Sequence, residues 1–333
     1  MIKKIGRFLT VSSLLFWLIG STIWAALAVI YGDSSSSTIQ SIITSTVALV
    51  GFASVLSLLF LPRWRKKLLL IHSFVFLTVM ICWLNISADN DRQWQADVSK
   101  LAHASINGDF VTIHNIRNFT YRREFDYIPG YYDKTVNLNN LEGLDLFAVY
   151  WMGPSIAHVI MSFDFGSGNH IAVSIEARKE VGEGYSTLKG FFRQYELIYI
   201  VADERDLIGL RTHYRNNPPE QVYRYRLKPA KENTKRLFLE YLDSINSLYE
   251  KPDFYNTLLA NCTSLIWLHS RVNPGHLPFS WKILLSGYVP EYLYETGRLK
   301  EQGSFDTVRS QAFVNPLVEK QEISEEYVTA IRP

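Results

Sequence analysis

Cys262 is the residue whose type and setting point most directly to covalent chemistry. It stands in "LLANCTSLIWLH", Leu258–His269, at the head of an apolar run. Asn261 is a favourable helix N-cap and Thr263 suits a first turn. A thiol at a helix N-terminus meets the positive end of the helix dipole and unpaired backbone N–H groups. Both favour the thiolate and lower its pKa. The same amides, with Asn261 beside them, are candidates for an oxyanion hole. The other cysteine, Cys82, lies in a long apolar stretch, so Cys262 reads as an unpaired thiol: a nucleophile, or a buried structural cysteine.

A thiol nucleophile needs a base, and a hairpin supplies one. "HVIMSFDF", His158–Phe165, alternates, with Val159, Met161, Phe163 and Phe165 on one face. "GSGN", Gly166–Asn169, is a turn signal, and "IAVSIEAR" returns with Ser174, Glu176 and Arg178 on its polar face. If the turn centres on Ser167–Gly168, paired positions sum to about 335, which sets His158 opposite Glu176 or Ala177. Only Glu176 shares the polar face. Opposed side chains stand about 5 Å apart, close enough for a carboxylate to orient an imidazole and favour its protonated form. The alternative is a cross-strand polar pair on a solvated face. Ser174 is the other candidate for the third member and a weaker one for substrate or oxyanion contact.

The remaining histidines fit less well. His269 is about 10 Å along the same helix from Cys262. His170 lies at the turn, open to solvent. His213 and His276 sit in irregular sequence, and His103 and His114 have no visible acidic partner. A Cys262–His158–Glu176 set would perform acyl transfer through a thioester. No metal-ligating cluster and no cofactor motif stands out.

These residues are positioned by what precedes them. Phe8–Tyr31, Ile39–Leu61 and Leu68–Ile86 are apolar runs of about 20 residues, enough to cross a hydrocarbon core of about 30 Å. Lys3, Lys4 and Arg7 precede the first; Arg63, Arg65, Lys66 and Lys67 separate the second and third; "GDSSSST" carries only Asp33. Basic loops stay cytoplasmic, so the N-terminus is expected inside and everything after Ile86 outside. "WAALA" resembles a signal-peptide cleavage site, but the run is long for one. The expected division is a membrane domain over 1–88 and an extracytoplasmic domain over 89–333.

In that domain "DNDRQWQADVSKLAHASING" is expected to be helical. "DFVTIHNIRNFTY", the stretch from Leu141 to Arg178, and "QVYRYRLK" read as strands. "FRQYELIYIVADERDLIGLRTHYR" reads as a strand running into a helix. Lys231–Tyr249 has helical spacing at Leu237, Phe238, Tyr241, Leu242, Ile245 and Leu248, and Tyr255–His269 reads as a second helix. The class is α+β, an antiparallel sheet with flanking helices. Arg205 and Arg211 lie in a crowd of charges with Asp203, Glu204 and Glu196. They are candidates to bind a headgroup phosphate, or members of an internal ion-pair network. The net charge of +2 gives no sign of a nucleic-acid partner, and the 14% aromatic content suits a surface near lipid headgroups.

The order strand histidine, next-strand polar residue, helix-start cysteine resembles the permuted papain-like (NlpC-like) thiol enzymes. More closely, "FDYIPGYYDKTVNLNNLEGLDLFAVYWMGPSIAHVIMSF", "SIEARKEVGEGYSTLKGFFRQYELIYIVADERDLIGLRTHYR" and "FYNTLLANCT" resemble the Lnb-type periplasmic domain, over about Gly108–Tyr294. That family is associated with lipoprotein N-acylation. The resemblance implies that Cys262 takes a fatty acyl group from a phospholipid. His158 would deprotonate first the thiol and then the lipoprotein amine, with Glu176 orienting His158. It implies a multi-pass protein of the bacterial inner membrane with a periplasmic catalytic domain. A thiol hydrolase acting on peptidoglycan peptides or lipid esters would use the same residues, and a non-catalytic membrane scaffold would use none.

Overall fold

A computed structural model describes residues 2–32, 37–228 and 230–332, without the side chains of residues 2 and 3. The chain divides into two compact units, Met1–Ala88 with Ser186–Gln194, and Asp89–Tyr185 with Tyr195–Pro333.

The first unit contains α1 (Ile2–Tyr31), α2 (Ser37–Phe60) and α3 (Arg65–Leu84), each long and apolar enough to cross a membrane. Asp33, used above for orientation, lies outside the described residues. Two polar side chains pair between helices, as a bilayer interior favours: His72 Nε2 lies 2.8 Å from Ser21 Oγ. The stretch 186–194, expected in the second domain, clusters with these helices instead. Phe192 is buried beside the rings of Trp24 and Tyr31. Arg193 Nη1 donates to the carbonyls of Trp83, Leu84 and Ile86, at 3.3, 3.0 and 2.9 Å. Carbonyls at a helix C-terminus have no partner within the helix, and a guanidinium satisfies them.

The second unit is built on one open sheet. Its strands are β1 (His103–Asn107), β2 (Phe110–Arg117), β5 (Tyr131–Asn137), β6 (Gly143–Tyr150), β7 (Ala157–Asp164), β8 (His170–Arg178), β9 (Glu196–Ala202) and β10 (Gln221–Arg226). The pair β3 (Thr120–Arg123) and β4 (Asp126–Ile128) forms a separate hairpin. The order is β1-β2-β9-β8-β7-β6-β10, with β5 also on β2. Pairing is antiparallel except between β2 and β9, which meet in parallel at Arg117 and Ala202. The α+β class expected from the sequence is what the chain adopts, with three membrane-length helices ahead of the sheet.

Alternation along the central strands gives the sheet two apolar faces. Val159, Met161, Phe163, Val173 and Ile175 face α5 (Lys231–Glu250) and α6 (Cys262–Ser270). Ile160, Ala172, Ile198 and Ile200 face α4 (Glu204–Gly209) and the C-terminal segment. The smaller helices α7 (Trp281–Leu284), α8 (Val289–Glu295), α9 (Phe305–Ala312), α10 (Asn315–Val318) and α11 (Glu325–Ala330) complete the order. The apolar stripe of α5 is buried as its spacing predicts, with the Phe238 ring 4.9 Å from Phe163 and 5.2 Å from Phe165.

Two expected helices differ. Asp89–Lys100 is irregular apart from one 3-10 turn at Ala96–Val98, and His103–Asn107 is strand. Its backbone is engaged by the end of β8: Gln95 N donates to Lys179 O at 3.0 Å, and Arg178 stacks over the Trp94 ring at 4.1 Å. The second helix starts at Cys262, not Tyr255. Tyr255 N donates to Tyr195 O at 3.0 Å, and Asn256 Oδ1 accepts from Leu258 N and Leu259 N, which folds that stretch into a turn.

Phe238→Ala would leave a void beside two aromatic rings and should destabilise the second unit by about 3–5 kcal/mol. Thermal denaturation of the detergent-solubilised protein would show a midpoint well below that of the wild type.

Candidate active site

The hairpin closes as the sequence predicts and fixes the site's register. Asp164 pairs with His170 and Ile160 with Ser174, a register one residue from the expected sum. Continued two residues, it sets His158 against Glu176. The β7–β8 ladder itself stops at Ile160 and Ser174, while β7 stays paired to β6 through His158–Val149 and β8 to β9 through Glu176–Ile198. The two strands are therefore held from outside where the ladder between them has ended.

Across that end runs a string of short contacts. His158 Nε2 is 2.6 Å from Ser174 Oγ, and Ser174 Oγ donates to Glu176 Oε1 at 2.6 Å. His158 Nε2 is also 3.4 Å from Glu176 Oε1. Arg211 Nη2 donates to the same oxygen at 3.0 Å. Burial alone would neutralise Glu176, but bonds from His158 and Ser174 and the Arg211 charge hold it well below the usual carboxylate range. Ser174 is fully buried, so it stands between the histidine and the acid and does not face substrate.

Cys262 enters from the opposite direction. Asn261 Oδ1 accepts from Thr263 N and Ser264 N, each at 2.9 Å, and Asn261 N donates to Ser264 Oγ at 3.0 Å, a complete capping box. This places Cys262 at the first helical position, where its backbone N–H has no partner within the helix. Two groups act on the sulfur to favour its charged form, the His158 ring and the Val159 backbone N–H. Since Nε2 of His158 is turned to Ser174, Nδ1 is the ring nitrogen left for the thiol. Burial pushes the Cys262 thiol up, but the His158 charge and the Val159 amide outweigh it and the thiol lies below its ordinary value. Burial likewise opposes charge on His158, yet Cys262 and Glu176 raise it to about 9. The two shifts have one cause, the coupling of thiol and imidazole, and both favour the charged form of the pair.

The other expected site residues fall elsewhere. Asn261 spends its side chain on the cap, with Nδ2 donating to Thr257 O at 2.6 Å, so the oxyanion donor it was expected to provide is not its amide group. Arg205, a candidate for phosphate, forks onto Asp203 at 2.9 and 2.8 Å. Arg211, the other candidate, is buried between Glu176 and the Leu207 carbonyl, with Glu220 3.9 Å from its Nε. Both guanidiniums belong to internal ion pairs, the alternative weighed from the sequence. His269 is buried, 2.5 Å from the Tyr199 hydroxyl, and burial lowers it to about 4. His170, expected at an open turn, is half-buried against Arg332 and Asp164.

Sequence reasoning missed the bracing role of Arg211 and the amide of Val159. A lone arginine thirty-five positions from its acid gives no local signal. Residues 127–287 match the family model described as "Lnb N-terminal periplasmic domain". No curated protein and no solved structure matches the chain.

His158→Ala removes the cation that holds the Cys262 thiol down. Alkylation of Cys262 by iodoacetamide at pH 7 should slow by about tenfold or more, since each pKa unit is tenfold in thiolate. Its pH profile should move to higher pH relative to the wild type.

Proposed function

We propose, on the premise that residues 127–287 belong to the Lnb N-terminal periplasmic domain family, that this protein is a membrane-anchored lipoprotein N-acyltransferase. On this reading it sits in the bacterial inner membrane with its N-terminus cytoplasmic. What supports the reading is Cys262 at the capped head of α6, electrostatically coupled to a histidine that Ser174 and Glu176 orient, in a chain that also has three membrane-length helices. A permuted papain-like arrangement fits the chain order of base, acid and nucleophile. The acyl donor is a phospholipid and the acceptor the N-terminal cysteine amine of a diacylglyceryl-modified lipoprotein.

The chemistry runs in two balanced halves. The Cys262 thiolate attacks the ester carbonyl, forming the C–S bond, and the oxyanion is met by a backbone N–H at the start of α6. The only amide of that first turn left for it is that of Cys262, since those of Thr263 and Ser264 are held by Asn261. The C–O bond then breaks, and the leaving lysolipid oxygen takes the proton from His158. His158, now neutral, removes a proton as the amine attacks the thioester. The C–S bond breaks, the amide forms, and the thiolate–imidazolium pair returns. Glu176, with Ser174 between, keeps His158 oriented and supports its positive charge. Arg211 keeps Glu176 ionised.

Mass spectrometry of a lipoprotein N-terminus tests this. Cells with the wild-type protein should yield N-acylated lipoprotein, and cells with Cys262→Ala or His158→Ala only the free amine. Glu176→Gln should lose about 10²-fold in transfer rate, the range typical of an impaired general base. An N-acylation state that does not depend on the protein would sink the proposal. Release of free fatty acid with the amine untouched would make water the acceptor and the enzyme a hydrolase.

A further inference from the structure

The surface around the thiol departs from that of a water-facing cleft. Leu258 and Leu259, just before the nucleophile, are 43% and 74% exposed. On and after α7, Trp281, Leu284 and Leu285 are 55%, 38% and 40% exposed, and Met152 is 67% exposed. Hydrogen bonds tie these segments to the site. Thr263 Oγ1, next to Cys262, donates to the Ile283 carbonyl at 2.8 Å. Gly287 N donates to Ser155 O at 3.0 Å, which joins the end of α7 to the loop that leads from Met152 into β7 and His158. Gly287 is needed there: a Cβ would come within 2.1 Å of the Pro154 carbonyl. Asn261 Nδ2 holds the Thr257 carbonyl and with it the turn that presents both leucines. The exposed apolar groups therefore sit on segments that are each tied to the nucleophile or its histidine.

Charge is kept to the margin of this surface. From Thr257 to His269 there is no Asp, Glu, Lys or Arg. Lys282 on α7 turns to Glu291 and Glu295, at 3.3 and 2.8 Å. Trp281 packs on Tyr288 at 5.3 Å, an aromatic pair of the kind that collects at headgroup level. Apolar side chains exposed together in this way mark an interaction surface. The chain carries three membrane-length helices, so a bilayer is always at hand.

We propose that this rim, formed by Leu258, Leu259, Trp281, Leu284, Leu285 and Met152, enters the acyl-chain layer of the bilayer. The lipid ester then reaches Cys262 along apolar side chains without passing through water. The purpose of the rim rests on the acyl-transfer reading; its contact with lipid is measured without it.

The full chain with Cys82→Ser, Cys262→Ser and Leu259→Cys, labelled with the fluorophore NBD, would be reconstituted in phosphatidylethanolamine–phosphatidylglycerol vesicles. Blue-shifted emission, quenched by lipids brominated in their acyl chains, is the expected result. Emission typical of water, or a blue-shifted probe that brominated lipid does not quench, would overturn the proposal; the second outcome would mean a protein partner covers the rim. In the otherwise native chain, Leu259→Asp with Leu285→Asp should leave alkylation of Cys262 unchanged. Transfer from bilayer lipid should fall about tenfold or more, as loss of even one leucine's burial predicts. Transfer at the wild-type rate would overturn the proposal. Absence of transfer in the wild type would remove the acyl-transfer reading and leave the quenching result standing.

Discussion

A carboxylate that must stay ionised while surrounded by protein is the constraint around which this domain is arranged. Isolated burial would drive Glu176 to accept a proton, because low dielectric disfavours the charged form. Three donors prevent it: Arg211 on the segment after α4, Ser174 on the same strand, and His158 on the next. Arg211 is itself anchored on the Leu207 carbonyl and flanked by Glu220, which in turn pairs with Arg215 at 3.2 Å. The segment from Asp203 to Arg215 thus acts as a brace from behind the sheet. What emerges on the α6 side is an imidazole of fixed orientation and raised basicity, to which the thiol is matched.

The sheet transmits this arrangement because its two faces are filled independently. The α5–α6 face is an aromatic and aliphatic core, closed by Phe238 against Phe163 and Phe165. The opposite face mixes an apolar layer with buried ions. Arg117 pairs with Asp206 at 2.7 Å, and Arg332 lies between Glu204 and Asp145, with Ser162 donating to Glu204 at 2.6 Å. Such pairs are costly to bury, but removing one partner is costlier still. They hold strand and segment in a single register, which an oily interface alone would leave freer to slide.

How much of this could be read from the sequence follows from the range of each interaction. The His158–Glu176 juxtaposition was legible because a hairpin is local: turn chemistry and period-two alternation fix it within a residue, and the observed register differs from the expected one by that amount. Asn261 as a cap was legible for the same reason. The roles of Arg205 and Arg211 were not, since a guanidinium in a charge-dense stretch reads equally as a ligand or as a brace. Asp89–Lys100 misled because its polarity and spacing suit a helix, whereas its backbone bonds are made with Lys179 far along the chain. The grouping of 186–194 with the helices likewise depends on Phe192 and Arg193 meeting residues more than a hundred positions earlier.

Favouring the thiolate has a chemical cost of its own. A thiolate is the form that oxidants attack, and in a periplasmic-type domain no glutathione pool stands by to restore it. The chain's other cysteine, Cys82, belongs to α3 in the first unit, so the second unit offers no resolving thiol of its own. A sulfenic acid formed at Cys262 would have no intramolecular disulfide to retreat into within that domain and would advance toward sulfinic acid, a dead end. The setting that favours the charged form of Cys262 therefore also leaves it dependent on an external reductant, or on being covered, to stay a thiol.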